Sequence, residues 1–179
     1  MRRRTCFWIA PALAAALLGC DADSPPETAA AAPIELQEVT PEELNKLVAE
    51  NPGKVVLFDF WATWCIPCLK QYPHTVELSE KYADDLVVYS VSMDMNDDET
   101  LSLVKEKLGE WPAGNVRTLI NAQEPLEDAF TAYEITDGAL PHYKVFGRDG
   151  KVAATLGGIE NVPTPETVDA AVEQALGVK

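Results

Sequence analysis

Basic residues, histidine and cysteine are all scarce in this chain, and each shortage narrows what it can do. Lys and Arg number 14 against 29 Asp and Glu, a formal net charge of -15. So acidic a chain argues against nucleic-acid binding and against electrostatic adhesion to anionic lipid, and is compatible with basic or neutral protein partners. There are two histidines, His74 and His142, and neither comes directly after Cys68. Leu69 stands where haem attachment would need a histidine. The remaining cysteines, Cys6 and Cys20, form no second C-x-x-C, so the four-ligand pattern of a structural zinc site is missing. The apolar run from Phe7 to Leu18 falls short of the roughly 20 residues that span a bilayer. Repeats and a second domain are absent too, and a 47% hydrophobic content suits one globular unit with an ordinary core.

What is present centres on the stretch from Val55 to Cys68, a continuous apolar run ending in two cysteines. A run so rich in Val, Phe and Trp has no polar face, which predicts a central strand covered on both sides. That strand delivers the dithiol to a helix start, where free N–H groups and the helix dipole favour a thiolate. Cys65 is the expected nucleophile, attacking a partner disulfide to give a mixed disulfide. Cys68, one turn along and more buried, is the expected resolving thiol. Pro67 fits the first helical turn, where its missing N–H costs little. Asp59 is an acid inside an otherwise apolar strand; burial should raise its pKa and suit it to accept a proton from Cys68.

These residues resemble the thioredoxin superfamily: the strand Phe58 to Ala62, the Trp64-Cys65-x-Pro67-Cys68 box and Pro73 all fall where that family has them. The resemblance implies an α/β thioredoxin-like fold, a central mixed sheet flanked by helices, and a thiol-disulfide oxidoreductase acting on protein disulfides. It implies no cofactor beyond a redox-active Cys65–Cys68 disulfide, and no metal. It also implies a cis Leu140–Pro141 bond whose proline holds the incoming partner against Cys65 through backbone hydrogen bonds, with Trp64, Pro67 and Leu140 completing the substrate-binding surface. An extra strand (Val116 to Ile120) and helix (Pro125 to Tyr133) precede that proline, an insertion that resembles the TlpA-like branch of membrane-anchored thiol reductases. Ser90 stands where many thioredoxins carry a lysine near the buried acid, and Gln71 where haem-maturation reductases often have a glutamate. The Ile66-Pro67 pair lacks the histidine of strongly oxidising relatives, which favours the reducing direction.

The rest reads as alternating elements. Ile34 to Val39 suits an edge strand, and Thr40-Pro41-Glu42-Glu43 a capped helix start. Pro73 should kink the helix that follows the dithiol. The acidic cluster Asp94 to Asp98 lacks the Gly and terminal Glu of a calcium loop and is expected as a solvated turn capping a helix from Glu99 to Leu108, which Gly109 ends. A hairpin turns at Gly147 to Gly150, Gly157 and Gly158 end it and could bring backbone close to the active site, and Thr164 starts the last helix. His142 is read either as tuning Cys65 or touching a partner, or as an exposed strand residue; His74 is expected on the helix surface.

The amino terminus has the form of an export signal: Arg2 to Arg4, then the apolar run, then Leu17-Leu18-Gly19-Cys20, which resembles the lipobox of bacterial lipoproteins. We therefore expect a signal peptide over 1–19, a lipidated Cys20 with a Pro- and Ala-rich tether over 20–33, and a thioredoxin-like domain over 34–179. Cys6 would leave with the signal and Cys20 be consumed by lipid, so no structural disulfide framework is possible. Asp21 resembles an inner-membrane retention signal. The expected place is the periplasmic side of a bacterial envelope, lipid-anchored to the inner membrane, with a membrane electron donor. The rival readings are a thioredoxin-fold module that binds metal or unfolded protein without turnover, and a thiol peroxidase.

Overall fold

The apolar run forms β2 (Val55–Trp61), and all seven of its residues are buried. In the computed structural model, which describes residues 34–111 and 114–178, this strand lies inside a six-stranded sheet. The expected signal peptide, Cys20 and tether lie outside the described residues. Parallel to β2 run β3 (Leu86–Ser92), then β4 (Val116–Asn121), then the edge strand β1 (Gln37–Val39). On the other side β5 (His142–Phe146) and β6 (Val152–Leu156) add antiparallel, giving the order β1-β4-β3-β2-β5-β6. The sheet is mixed, as expected, and the added strand β4 is built into its interior between β1 and β3.

Among the described residues, five α-helices cover it. Along β2, Val56, Phe58 and Phe60 point to a core shared with α1 (Pro41–Ala49) and α4 (Leu126–Ala132). Val55 and Leu57 point the other way, against α2 (Ile66–Lys81) and α5 (Pro165–Leu176). Trp61 and Ala62 join the dithiol, Tyr72 and Val76 of α2, and Val104 and Leu108 from the C-terminal half of α3 (Asp98–Gly109) in a third cluster. Alternation of side chains along each strand sets this division. At about 1.5–3 kcal/mol per large apolar side chain removed from water, β2 is the most heavily anchored element of the fold.

Several boundaries differ from the sequence reading. Gly109 ends inside α3, whose C-cap is Glu110. Pro125 precedes α4 as its N-cap and follows a second cis bond, Glu124–Pro125, alongside the expected Leu140–Pro141. Helix α2 runs as one element from Ile66 to Lys81 with Pro73 inside it, and Tyr72, Thr75, Val76 and Leu78 are buried around that proline. Among the described residues, no helix is long and apolar enough to cross a membrane.

Candidate active site

Cys65 is the N-cap of α2, and Cys68 closes the first turn; the two are joined in a disulfide with Cα atoms 5.3 Å apart. The Cys68 backbone N–H donates to the Cys65 sulfur at 3.3 Å, so the helix start presents a donor to the atom that carries negative charge when the pair is reduced. Both cysteines are buried, while Trp64 and Ile66 beside them are 57% and 65% exposed. An accessible apolar rim thus surrounds a sheltered disulfide. Leu140, just before the cis proline, packs against the cluster that contains both cysteines.

Asp59 is 2% exposed, in the middle of β2, between Ser90 of β3 and Tyr143 of β5. Its Oδ2 accepts a hydrogen bond from the Thr75 hydroxyl of α2 at 2.6 Å; among the described residues Oδ1 has no partner. Burial pushes the Asp59 carboxyl up to about 7, and the Thr75 bond offsets part of that rise. The carboxyl therefore changes charge near neutral pH. It lies on the α2 side of the sheet, the side on which Cys68 and Tyr72 pack.

Asp94 departs from the expected solvated turn. It is 2% exposed, and its carboxyl accepts from the Thr63 N–H at 2.9 Å, the Thr63 hydroxyl at 2.7 Å and the Ser92 hydroxyl at 2.7 Å. It thereby ties the end of β3 to the turn that leads into Cys65. Asp97, not Asp94, caps α3, accepting from the N–H groups of Glu99 and Thr100.

His142 is also corrected. It pairs in register with Phe60, not with Asp59, so its ring faces the α1 and α4 side, edge-on to Phe60 with ring centres 6.0 Å apart. It is neither exposed nor aimed at the dithiol. Burial, with Lys144 adding, pushes it down to about 4. Gly157, at φ +149°, lies directly against this ring, where a Cβ would collide with Nδ1, so the close approach that this glycine permits is to His142. His74 bonds the carboxylate of Asp169 on α5 at 2.9 Å, and Gln71 donates to the Pro163 carbonyl at 2.8 Å; both tie α2 to the C-terminal segment. Behind the dithiol Trp61, Tyr72 and Trp111 pack face and edge; the 4.5 Å pairing of Tyr72 with Trp111 spans elements far apart in sequence and leaves no local signal.

The Thioredoxin family model matches residues 35–105, from β1 through the dithiol into α3. The chain is 45% identical to the thioredoxin of Coprinus comatus over 58 residues, 32% of this chain and 53% of that one, so the match spans about half of that relative's length. Among solved structures, a putative thiol:disulfide interchange protein DsbE from Chlorobium tepidum superposes with a TM-score of 0.55 at 24% identity, covering 73% of this chain and 85% of that one. The exposed lipoprotein thioredoxin of Streptococcus pneumoniae does so with a TM-score of 0.54 at 23% identity, covering 71% and 89%. The fold is that of thioredoxin. Within this thioredoxin-like fold the disulfide stands at the start of α2, Asp59 lies within β2 on the α2 side of the sheet, and Leu140, which precedes the cis proline, packs against the cluster that holds both cysteines. Trp64 precedes Cys65, and Pro67 lies between the two cysteines.

Proposed function

We propose that the protein is an exported, lipid-anchored thiol-disulfide oxidoreductase that reduces protein disulfides, of the TlpA-like kind. The observation that carries this reading is the Cys65–Cys68 disulfide at the start of α2, on the same side of the sheet as a buried Asp59 that titrates near neutrality. In the reduced protein the Cys65 thiolate attacks one sulfur of a substrate disulfide. A mixed disulfide forms, and the first substrate thiolate leaves and takes a proton from water. Cys68 then gives its proton to the Asp59 carboxylate and attacks the Cys65 sulfur. The Cys65–Cys68 bond forms, the second substrate thiolate leaves and takes a proton from water while Asp59 releases its own to solvent, and the substrate has gained two electrons and two protons. Pro141 and Leu140, with Trp64 and Pro67, form the platform on which the partner lies.

Each turnover leaves the pair oxidised, so a reductase outside the cytoplasm depends on an electron donor in the membrane. Export over 1–19, lipidation at Cys20 and a tether to residue 33 would hold the domain at the periplasmic face of the inner membrane, near such a donor. Two observations from relatives support this placing: one structural neighbour is an exposed lipoprotein, and another is described as a secreted disulfide oxidoreductase of Mycobacterium tuberculosis.

The test is the reduction of insulin by the purified, reduced protein. Cys65→Ala should abolish it, and Cys68→Ala should trap a mixed disulfide through Cys65; unchanged turnover by Cys65→Ala would sink the proposal. Direction is read from the potential of the pair. A value near that of thioredoxin, roughly -270 mV, makes the protein a reductase, and one near -120 mV an oxidant.

A further inference from the structure

The Thr75 hydroxyl is buried, and its hydrogen goes to Asp59 Oδ2 at 2.6 Å. The sequence pattern of α2 would place an apolar residue here: Thr75 lies among Tyr72, Val76 and Leu78 on the buried side of the helix. Among the described residues, no charged group shifts the Asp59 carboxyl. From β3 comes Ser90, its register partner, with no bond of its own among the described residues, and from β5 comes Tyr143. From α2 come Tyr72 and Thr75, with Cys65 and Cys68 at the start of the same helix. The α5 residues packed on this side of the sheet are the apolar Val168, Ala171, Val172 and Leu176. Both tyrosines are held well above their ordinary values, by burial first, so neither supplies charge.

The geometry points to Thr75 as a positioning residue that holds the Asp59 carboxylate in its charged, proton-accepting form and so sets the pH at which Cys68 is activated. A hydroxyl that donates to a carboxylate stabilises the ionised form; among the described residues, this is the one interaction that opposes the cost of burying that charge. It also leaves Oδ1, the oxygen without a partner, free to take the proton. This inference rests on the proposed relay from Cys68 to Asp59 and adds the residue that tunes it.

The experiment uses the full-length reduced protein and 5,5′-dithiobis(2-nitrobenzoate). Attack by Cys65 releases one thionitrobenzoate, and resolution by Cys68 releases the second, so the slower release can be followed across about pH 5 to 9. In Thr75→Val, which keeps the shape and loses the donor, the midpoint of that pH profile should rise by about one to two units, as expected for losing one hydrogen bond to a charged group. At pH 7 the second release should then slow by roughly fivefold or more. Thr75→Ser should keep the wild-type midpoint. If Thr75→Val does not fold, the pair Thr75→Ser and Thr75→Ala, which differ from each other by the hydroxyl alone, is read in the same way. An unmoved midpoint in the hydroxyl-free variants overturns the inference. Asp59→Asn separates the two levels: if it leaves the second release and its pH profile unchanged, the relay itself fails, whereas if it removes the step and Thr75→Val does not shift it, only the role of Thr75 fails.

Discussion

Asp59 and His142 sit on adjacent strands in consecutive register pairs, Asp59 with Tyr143 and Phe60 with His142, and they face opposite sides of the sheet. Both are buried, and both are pushed by that burial toward their neutral forms, the acid up to about 7 and the imidazole down to about 4. On the α2 side, the acid has one strong donor and a dithiol near it. On the α1 and α4 side, the imidazole has the Phe60 ring edge-on, Gly157 pressed against it, and no hydrogen-bond partner among the described residues. One burial rule applied on two faces therefore yields one group that titrates where thiol chemistry runs and one that stays neutral there and serves as packing.

The two groups have opposite linkage signs. For Asp59 the folded state holds its proton between the unfolded value of 3.8 and about 7, so stability falls as pH rises through that range. For His142 the unfolded state takes up a proton first, between 6.5 and about 4, so stability falls as pH drops through that range. The slopes oppose each other over about pH 4 to 6.5 and nearly cancel in the wild type.

The largest expected effect comes from removing the acid. Asp59→Asn should stabilise the oxidised protein by up to about 4 kcal/mol at pH 8, where the wild type buries a full charge, and by almost nothing at pH 4. Urea unfolding at the two pH values measures this; equal gains at both would mean that the carboxyl is not held neutral by burial. The same variant uncovers the His142 slope, so its stability should climb between pH 4 and 6.5. His142→Leu is the converse, with a somewhat smaller effect: it removes an acid-side loss of no more than about 3 kcal/mol, and leaves a protein whose stability falls with rising pH over that interval. If the pH dependence of His142→Leu matches that of the wild type, the contrast between the faces is broken.

Much of the α2 face is legible in the sequence, because its chemistry is local. The strand run, the C-x-x-C at a helix start, the misplaced acid and the proline before β5 each announce themselves within a few residues. The added strand and helix are legible as elements, but the insertion of β4 between β1 and β3 is not, since strand order depends on pairing across the whole chain. The bonds that shape the site escape for the same reason. Thr75 reaches Asp59 on another element, Asp94 reaches back to Thr63, and Gly157 meets His142 across the hairpin. In each case the local pattern has an ordinary alternative: a helix residue, an acidic turn, a loop glycine. His142 is misread because the period of two along β5 places it opposite Phe60, and only the register with β2 reveals that.

The smallest of the three effects sharpens the comparison by changing sign. Asp94 and Asp59 are both 2% exposed, yet Asp94 gathers the Thr63 N–H and two hydroxyls where Asp59 has the Thr75 hydroxyl alone. In Asp94→Asn one acceptor oxygen becomes an amide that points a donor at donors. The Thr63 and Ser92 hydroxyls can reorient, but one of the bonds that hold the turn into Cys65 is lost. The expected cost is about 2 kcal/mol, measured by urea unfolding at pH 7. The same chemical change, carboxyl to amide, should thus stabilise the protein at position 59 and destabilise it at position 94, because satisfied donors, rather than depth of burial, decide whether a buried carboxyl holds the fold together. If Asp94→Asn proved stabilising as well, the three bonds to Asp94 would not be holding the turn, and the distinction between a structural acid and a functional one in this sheet would fall.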